Sequence, residues 1–124
     1  MLAALSGCAT QLPPEVEARA RDASVAPLYC SDKAQCDLYW QRAQAWIAQN
    51  SQWRIRAATD TVIETFGPGR MNGMALAYQL TKIPEAGGGA EIVVRAGCVN
   101  MFGCDAEPWQ AIAVLKEYIK GRTG

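Results

Sequence analysis

Five cysteines in 124 residues constrain this chain more than any other feature. Cys30 and Cys36 form one Cys-x5-Cys pair, and Cys98 and Cys104 form a second. A chain of this length suits one domain with a small core, and cross-links supply stability that such a core lacks. Paired cysteines also suit an oxidising compartment. The four domain cysteines allow more than one connectivity. Local pairing, Cys30 with Cys36 and Cys98 with Cys104, closes two short loops, each worth about 2–3 kcal/mol in the chain-entropy model. Pairing Cys36 with Cys98 would instead tie the first domain helix to a strand. Both cysteines of that alternative lie on apolar faces, so it stays open.

The same cysteines argue against metal and redox chemistry. Structural zinc sites favour shorter cysteine spacing, often with histidine, and this chain has no histidine. The Cys-x-x-Cys spacing of a thiol-redox site is absent as well. Without histidine, Ser–His and Cys–His nucleophile pairs cannot form. No cofactor, metal or catalytic residue is therefore expected. Carboxylates remain as acid–base candidates, Asp60 and Glu64 first among them. An enzymatic site would need at least two of Asp60, Glu64, Glu91 and Asp105 around one pocket. Lysine plus arginine balances aspartate plus glutamate at 12 each. A nucleic-acid binder normally carries a basic excess, so no nucleic-acid partner is expected.

Hydrophobic periodicity orders the chain. Residues 9–27 hold Pro13, Pro14 and Pro27 and alternating charges, with few apolar residues. They read as a flexible tether, with at most a short solvated helix from Glu15 to Ala23. Residues 32–50 read as a helix capped by Asp32 with Gln35 as capping-box partner. Its apolar stripe is Cys36, Tyr39, Trp40, Ala43, Trp46 and Ile47. Residues 52–66 read as one extended segment, opened by Trp53 near a sheet edge and kinked near Thr59-Asp60. Gly67-Pro68-Gly69 and Asn72-Gly73 mark a loop. Met74 to Ile83 and Glu91 to Cys98 alternate as two strands of a hairpin joined through Gly87-Gly88-Gly89. Neither glycine cluster joins a strand to a helix, as a phosphate cradle would.

A last helix begins at Pro108, carries Trp109, Ile112, Leu115, Tyr118 and Ile119 on its stripe, and ends at Gly121, with Lys116 and Lys120 suited to its dipole. The expected fold is α+β in two layers. A three-stranded antiparallel meander is packed by an N-terminal and a C-terminal helix, in the order α-β-β-β-α. Three apolar residues, Met71, Met101 and Phe102, fall in loops. Loops carry binding residues more often than scaffolds do, so Met101 and Phe102 are the candidate partner contact, although the favoured expectation is that the loop clamped by Cys98–Cys104 folds back on the core.

The fifth cysteine has a separate explanation. Leu5-Ser6-Gly7-Cys8 resembles the lipobox of bacterial lipoproteins, in which a diacylglycerol joins the cysteine and the peptide is cut before it. Small residues at Ser6 and Gly7 suit such a cleavage site. Only five residues precede Ser6 and none is basic, so residues 1–7 read as a truncated lipoprotein signal peptide. Residues 8–27 would then be the lipidated cysteine and its tether, and residues 28–124 the disulfide-stapled domain. No later run is long enough for a membrane-spanning helix.

From Cys30 onward the chain resembles a family of small uncharacterised Gram-negative lipoproteins with paired Cys-x5-Cys. The resemblance rests on Cys36-Asp37-Leu38-Tyr39-Trp40, Ala43-Gln44-Ala45-Trp46, Thr61-Val62-Ile63-Glu64-Thr65 and the block Ala96-Gly97-Cys98-Val99-Asn100-Met101-Phe102-Gly103-Cys104. It implies a cell-envelope location and transfers no catalytic residue. Ala9 after Cys8, in place of aspartate, implies sorting to the outer membrane, facing the periplasm or the cell surface. The expected function is a non-enzymatic, lipid-anchored envelope protein that meets the membrane through its anchor and binds a protein or cell-wall partner. The alternatives are a small carboxylate-dependent envelope enzyme and a disulfide or metal redox protein.

Overall fold

The computed structural model describes residues 12–67 and 73–122. The chain runs α1 (Pro14–Val25), β1 (Leu28–Cys30), α2 (Lys33–Asn50), β2 (Ile55–Ala58), β3 (Val62–Thr65), β4 (Gly73–Pro84), β5 (Ala90–Val99) and α3 (Pro108–Ile119). The strands form one antiparallel five-stranded sheet in the order β1-β5-β4-β3-β2. The fold is α+β, but it is not the expected three-stranded meander between two helices.

Two local misreadings account for the extra strands. Residues 52–66 are a hairpin, not one kinked strand. Thr59 makes the turn: its Oγ1 accepts the backbone N–H of Thr61 and of Val62, and its own N–H donates to the Val62 carbonyl. A threonine hydroxyl that takes up nearby amides in this way reverses the chain in place of a ladder bond. The irregularity in pairing lies earlier, between Ile55 and Ala57. The second addition is β1, three residues long, which pairs Leu28 with Ile92 and Cys30 with Ala90. Three residues are too few to show a period, so only the long-range partner makes this segment a strand.

The third helix lies in the segment expected to be a tether. Residues Pro14–Val25 are helical and none is buried. The helix packs on α3 through polar contacts. The Arg21 guanidinium lies 4.2 Å from the centroid of the Trp109 ring. The Lys116 ammonium donates to the Ser24 and Ala26 carbonyls at 2.8 Å each. Lys116 is thus buried under the end of α1, where the sequence suggested only a charge suited to the dipole of α3. It supplies the cation that the last carbonyls of α1 attract.

Elsewhere the local signals hold. Asp32 Oδ1 accepts the Gln35 backbone N–H at 2.8 Å, and Gln35 Oε1 reaches back to the N–H and hydroxyl of Ser31. Cys36, Trp40, Ala43 and Ile47 of α2 are buried, as are Leu115 and Ile119 of α3. They join Leu28, Cys30, Ile63, Leu76, Tyr78, Leu80, Ala90, Ile92 and Val94 in one core. Each β4 and β5 residue of that set alternates with one that faces away, so among the described residues the helices cover one face of the sheet and leave the other uncovered. The cysteines pair locally, Cys30 with Cys36 at a Cα separation of 5.1 Å and Cys98 with Cys104 at 5.7 Å. The first bridge sits in the core and pins β1 to the start of α2. The second closes the loop after β5.

Candidate functional site

The loop bounded by Cys98 and Cys104 is ordered by three devices. The bridge ties its ends. Asn100 Oδ1 accepts the Phe102 N–H at 2.8 Å, and the Asn100 carbonyl accepts the Gly103 N–H at 3.1 Å. Gly103 has φ of +98°, a backbone state that costs a side-chain-bearing residue strain. Past the loop, the Asp105 N–H donates to the Met74 carbonyl, and Asp105 Oδ2 accepts from the Gln52 amide. This clamp holds Met101 and Phe102 outward, 86% and 84% exposed. They do not fold back on the core. Val99, the last residue of β5, is also exposed and precedes them by one intervening residue, Asn100.

A second candidate region is the uncovered sheet face. Register places Glu64 beside Gln79, and Gln79 beside Arg95. Arg56 of β2 makes an ion pair with Glu64 Oε2, and Gln79 Nε2 donates to Glu64 Oε1 at 3.3 Å. The result is a row of polar side chains across four strands. Glu64 has both carboxylate oxygens engaged and is only 17% exposed, against 56% for Arg56. Arg95 ends the row and makes no ion pair among the described residues. One register step away, Ala77 pairs with Gly97. These small residues and the polar row line a shallow trough of about 430 Å³.

The acids that acid–base chemistry would need are dispersed. Glu64 lines the trough, and none of Asp60, Glu91 and Asp105 does. Asp60 is exposed at the β2–β3 turn. Glu91 lies opposite Tyr29 of β1. Asp105 is near Tyr78, and burial together with that carboxylate raises the Tyr78 hydroxyl above its ordinary value. Among the described residues no group of three or more potential ligands could hold a metal ion. The four domain cysteines are all in disulfides.

An open groove of about 740 Å³ lies between α1 and α3. Val16, Ala20, Ala23, Ala113 and Val114 give it an apolar floor, with Arg19 and Glu117 at the rim. Sequence reading did not anticipate it, because it took residues 9–27 as a tether. It also did not single out Arg56, Gln79 and Arg95. Alternation put Gln79 off the apolar face, but their alignment depends on cross-strand register.

Trp53 does come near a strand, donating its indole N–H to the Ala75 carbonyl at 3.1 Å. Trp40 donates to the Thr59 carbonyl at 2.7 Å and carries the Lys82 ammonium 5.0 Å above its ring. Cys8, with the rest of residues 1–11, and Met71, with Pro68, Gly69 and Asn72, lie outside the described residues. No described helix is long and apolar enough to cross a membrane. Comparison with protein-family models, with curated proteins and with solved structures gives no match to this chain.

Proposed function

We propose that this chain is a lipid-anchored protein of the Gram-negative cell envelope that binds a protein or cell-wall partner through the loop clamped by Cys98–Cys104. The observation that carries the reading is the outward placement of Met101 and Phe102 on an ordered loop. Leaving two large apolar side chains in water forgoes roughly 1.5–3 kcal/mol of burial each. A disulfide and an asparagine turn that keep them there are consistent with selection for contact. An aromatic and a methionine are also residue types enriched at interface centres. Two disulfides within the domain support an oxidising location. The lipobox resemblance at Cys8 supplies the anchor.

The test uses the chain expressed behind a full lipoprotein signal sequence in a Gram-negative host. A photo-crosslinking residue replaces Phe102 in one strain and the exposed Leu38 of α2 in another. Peptide mass spectrometry of the membrane fraction without reductant reads the N-terminus. The expected result is an acylated Cys8 and a discrete adduct at position 102 that position 38 does not give and that Met101→Ser removes. An unmodified Cys8, or identical adducts at both positions, would overturn the anchor or the loop respectively.

A further inference from the structure

We infer that the uncovered sheet face is a homodimer surface, pairing with the same face of a second copy about a two-fold axis that runs along β4. The inference does not depend on the lipid anchor or on the clamped loop.

The face mixes polar rows with small and β-branched ones, and beyond Thr81 it carries Ile83, Glu91 and Tyr29. A half-solvated antiparallel sheet normally shows a polar outer side. Here Val62, Thr81 and Val93 form one cross-strand row, and Ala77 and Gly97 form another. Between them lies the row Arg56, Glu64, Gln79 and Arg95. Two packed sheets keep their strands within about 30° of each other at a spacing of about 10 Å. Such stacking suits small and β-branched residues, with a few long polar side chains reaching across.

The charges in the polar row select the occupant and the axis. Gln79 sits in the central strand, with the Glu64 carboxylate one strand to one side and the Arg95 guanidinium one strand to the other. A two-fold axis along β4 reverses the row. It places Glu64 over Arg95 of the second copy, Arg95 over Glu64 of the second copy, and Gln79 over Gln79. Two such amides can each donate and accept. The neighbouring row follows the same operation, with Val62 over Val93 and Thr81 over Thr81. A two-fold axis along the row would instead put each carboxylate over its own copy. An isologous interface needs a surface complementary to itself, and this charge order has that property only about the axis along β4. Arg95, which has no carboxylate within its own chain among the described residues, gains one from the partner copy.

The test uses the full chain carrying Cys8→Ser, so that no dimer arises through a free thiol. Sedimentation velocity between about 1 μM and about 1 mM covers the range in which weak homodimers assemble. The wild-type face is expected to give a monomer–dimer equilibrium. Arg95→Glu and Glu64→Arg each create two like-charge contacts per dimer, and each is expected to weaken self-association by at least about a hundredfold. An equimolar mixture of the two variants restores both attractive contacts and is expected to dimerise again, as is the double variant. Circular dichroism checks that each variant folds. As a measurement independent of charge reversal, Gln79→Cys should be joined to its symmetry mate by a short bis-maleimide, whereas Gln41→Cys on α2 should not. A wild-type chain that stays monomeric throughout overturns the inference. So does a dimer that both charge variants leave intact, or a pair of folded variants that fail to associate when mixed.

Discussion

The Lys116 ammonium donates to the Ser24 carbonyl across 2.8 Å and to the Ala26 carbonyl at the same distance. A lysine on the last helix thereby fixes the end of the first. Burial pushes the Lys116 ammonium below the ordinary lysine value, nearby Lys120 pushes the same way, and Glu91 opposes. Its charge is a cost, although its position is specific. Replacing a buried charge with an apolar chain of similar volume is often neutral or stabilising. Lys116→Met is expected to leave global stability within about 1 kcal/mol of wild type or to raise it, because the Ser24 and Ala26 carbonyls can reach water. Lys116→Ala, which also removes the packed stem, is expected to cost about 2 kcal/mol. Urea unfolding of the two variants checks the difference.

The titration order of two lysines follows from their surroundings. Lys33 is raised above its ordinary value by its hydrogen bond to Asp37, whereas Lys116 is lowered by burial. Lys116 should therefore lose its proton at lower pH than Lys33, as read from side-chain carbon shifts. The folded state holds the Lys116 proton less tightly than the unfolded chain does. Its contribution to stability therefore rises with pH, from the folded value of Lys116 up to the ordinary lysine value, and is flat below that window. Equal titration of the two lysines would contradict the buried placement.

Gly89 is required by a close approach. A Cβ built there would lie 2.5 Å from the Cys30 carbonyl oxygen and 3.2 Å from that of Ser31, both backbone atoms that cannot rotate away. Gly89→Ala is expected to destabilise by about 1–3 kcal/mol. Gly97→Ala, which meets nothing within 4 Å, should cost far less. Thermal unfolding of both variants tests the contrast.

The two disulfides should differ in worth. Both close short loops, for which the entropic gain is about 2–3 kcal/mol. Cys30 and Cys36 are also buried in the core, whereas Cys98 and Cys104 are only partly buried. Replacing Cys30 and Cys36 with serine adds buried hydroxyls to the lost cross-link and is expected to cost more than the same change at Cys98 and Cys104. Paired urea curves in the absence of reductant measure the gap, and a larger loss at the second bridge would contradict it.

Phe102 contributes little to the fold. Its side chain is almost wholly in water, so Phe102→Ser should change unfolding free energy by less than about 0.5 kcal/mol. A substantial loss in urea unfolding would mean that the loop supports the core.

Much of the domain was legible because its signals are local. The Asp32 cap, the Cys36–Trp40–Ala43–Ile47 stripe, the Pro108 start and the β4–β5 alternation each depend on residues within a turn or a few strand positions of one another. The misreadings arose where a local signal was ambiguous or where the cause lay far along the chain. Thr59 reverses the chain with one hydroxyl, and a slip of alternation there looks the same whether the chain bends or turns back. The Arg56–Glu64–Gln79–Arg95 row is built by register between strands, and no periodicity within one strand encodes it.

By itself, the sequence determined the helices α2 and α3, the β4–β5 hairpin, the capping chemistry, and a domain small enough to favour cross-links. These are set by side-chain period and by backbone groups satisfied nearby. Tertiary structure decided the rest. Cys30 and Cys36 pair locally because β1 and the start of α2 meet there, so the alternative bridge to Cys98 does not form. Residues Leu28–Cys30 become a strand only because β5 offers its edge, some sixty residues along the chain. Residues Pro14–Val25 dock as a helix although none of them is buried, because Trp109 and Lys116 of α3 give Arg21 and the last carbonyls their partners. Long-range partners of this kind carry little of the free energy of any one segment, yet they choose which of its conformations persists.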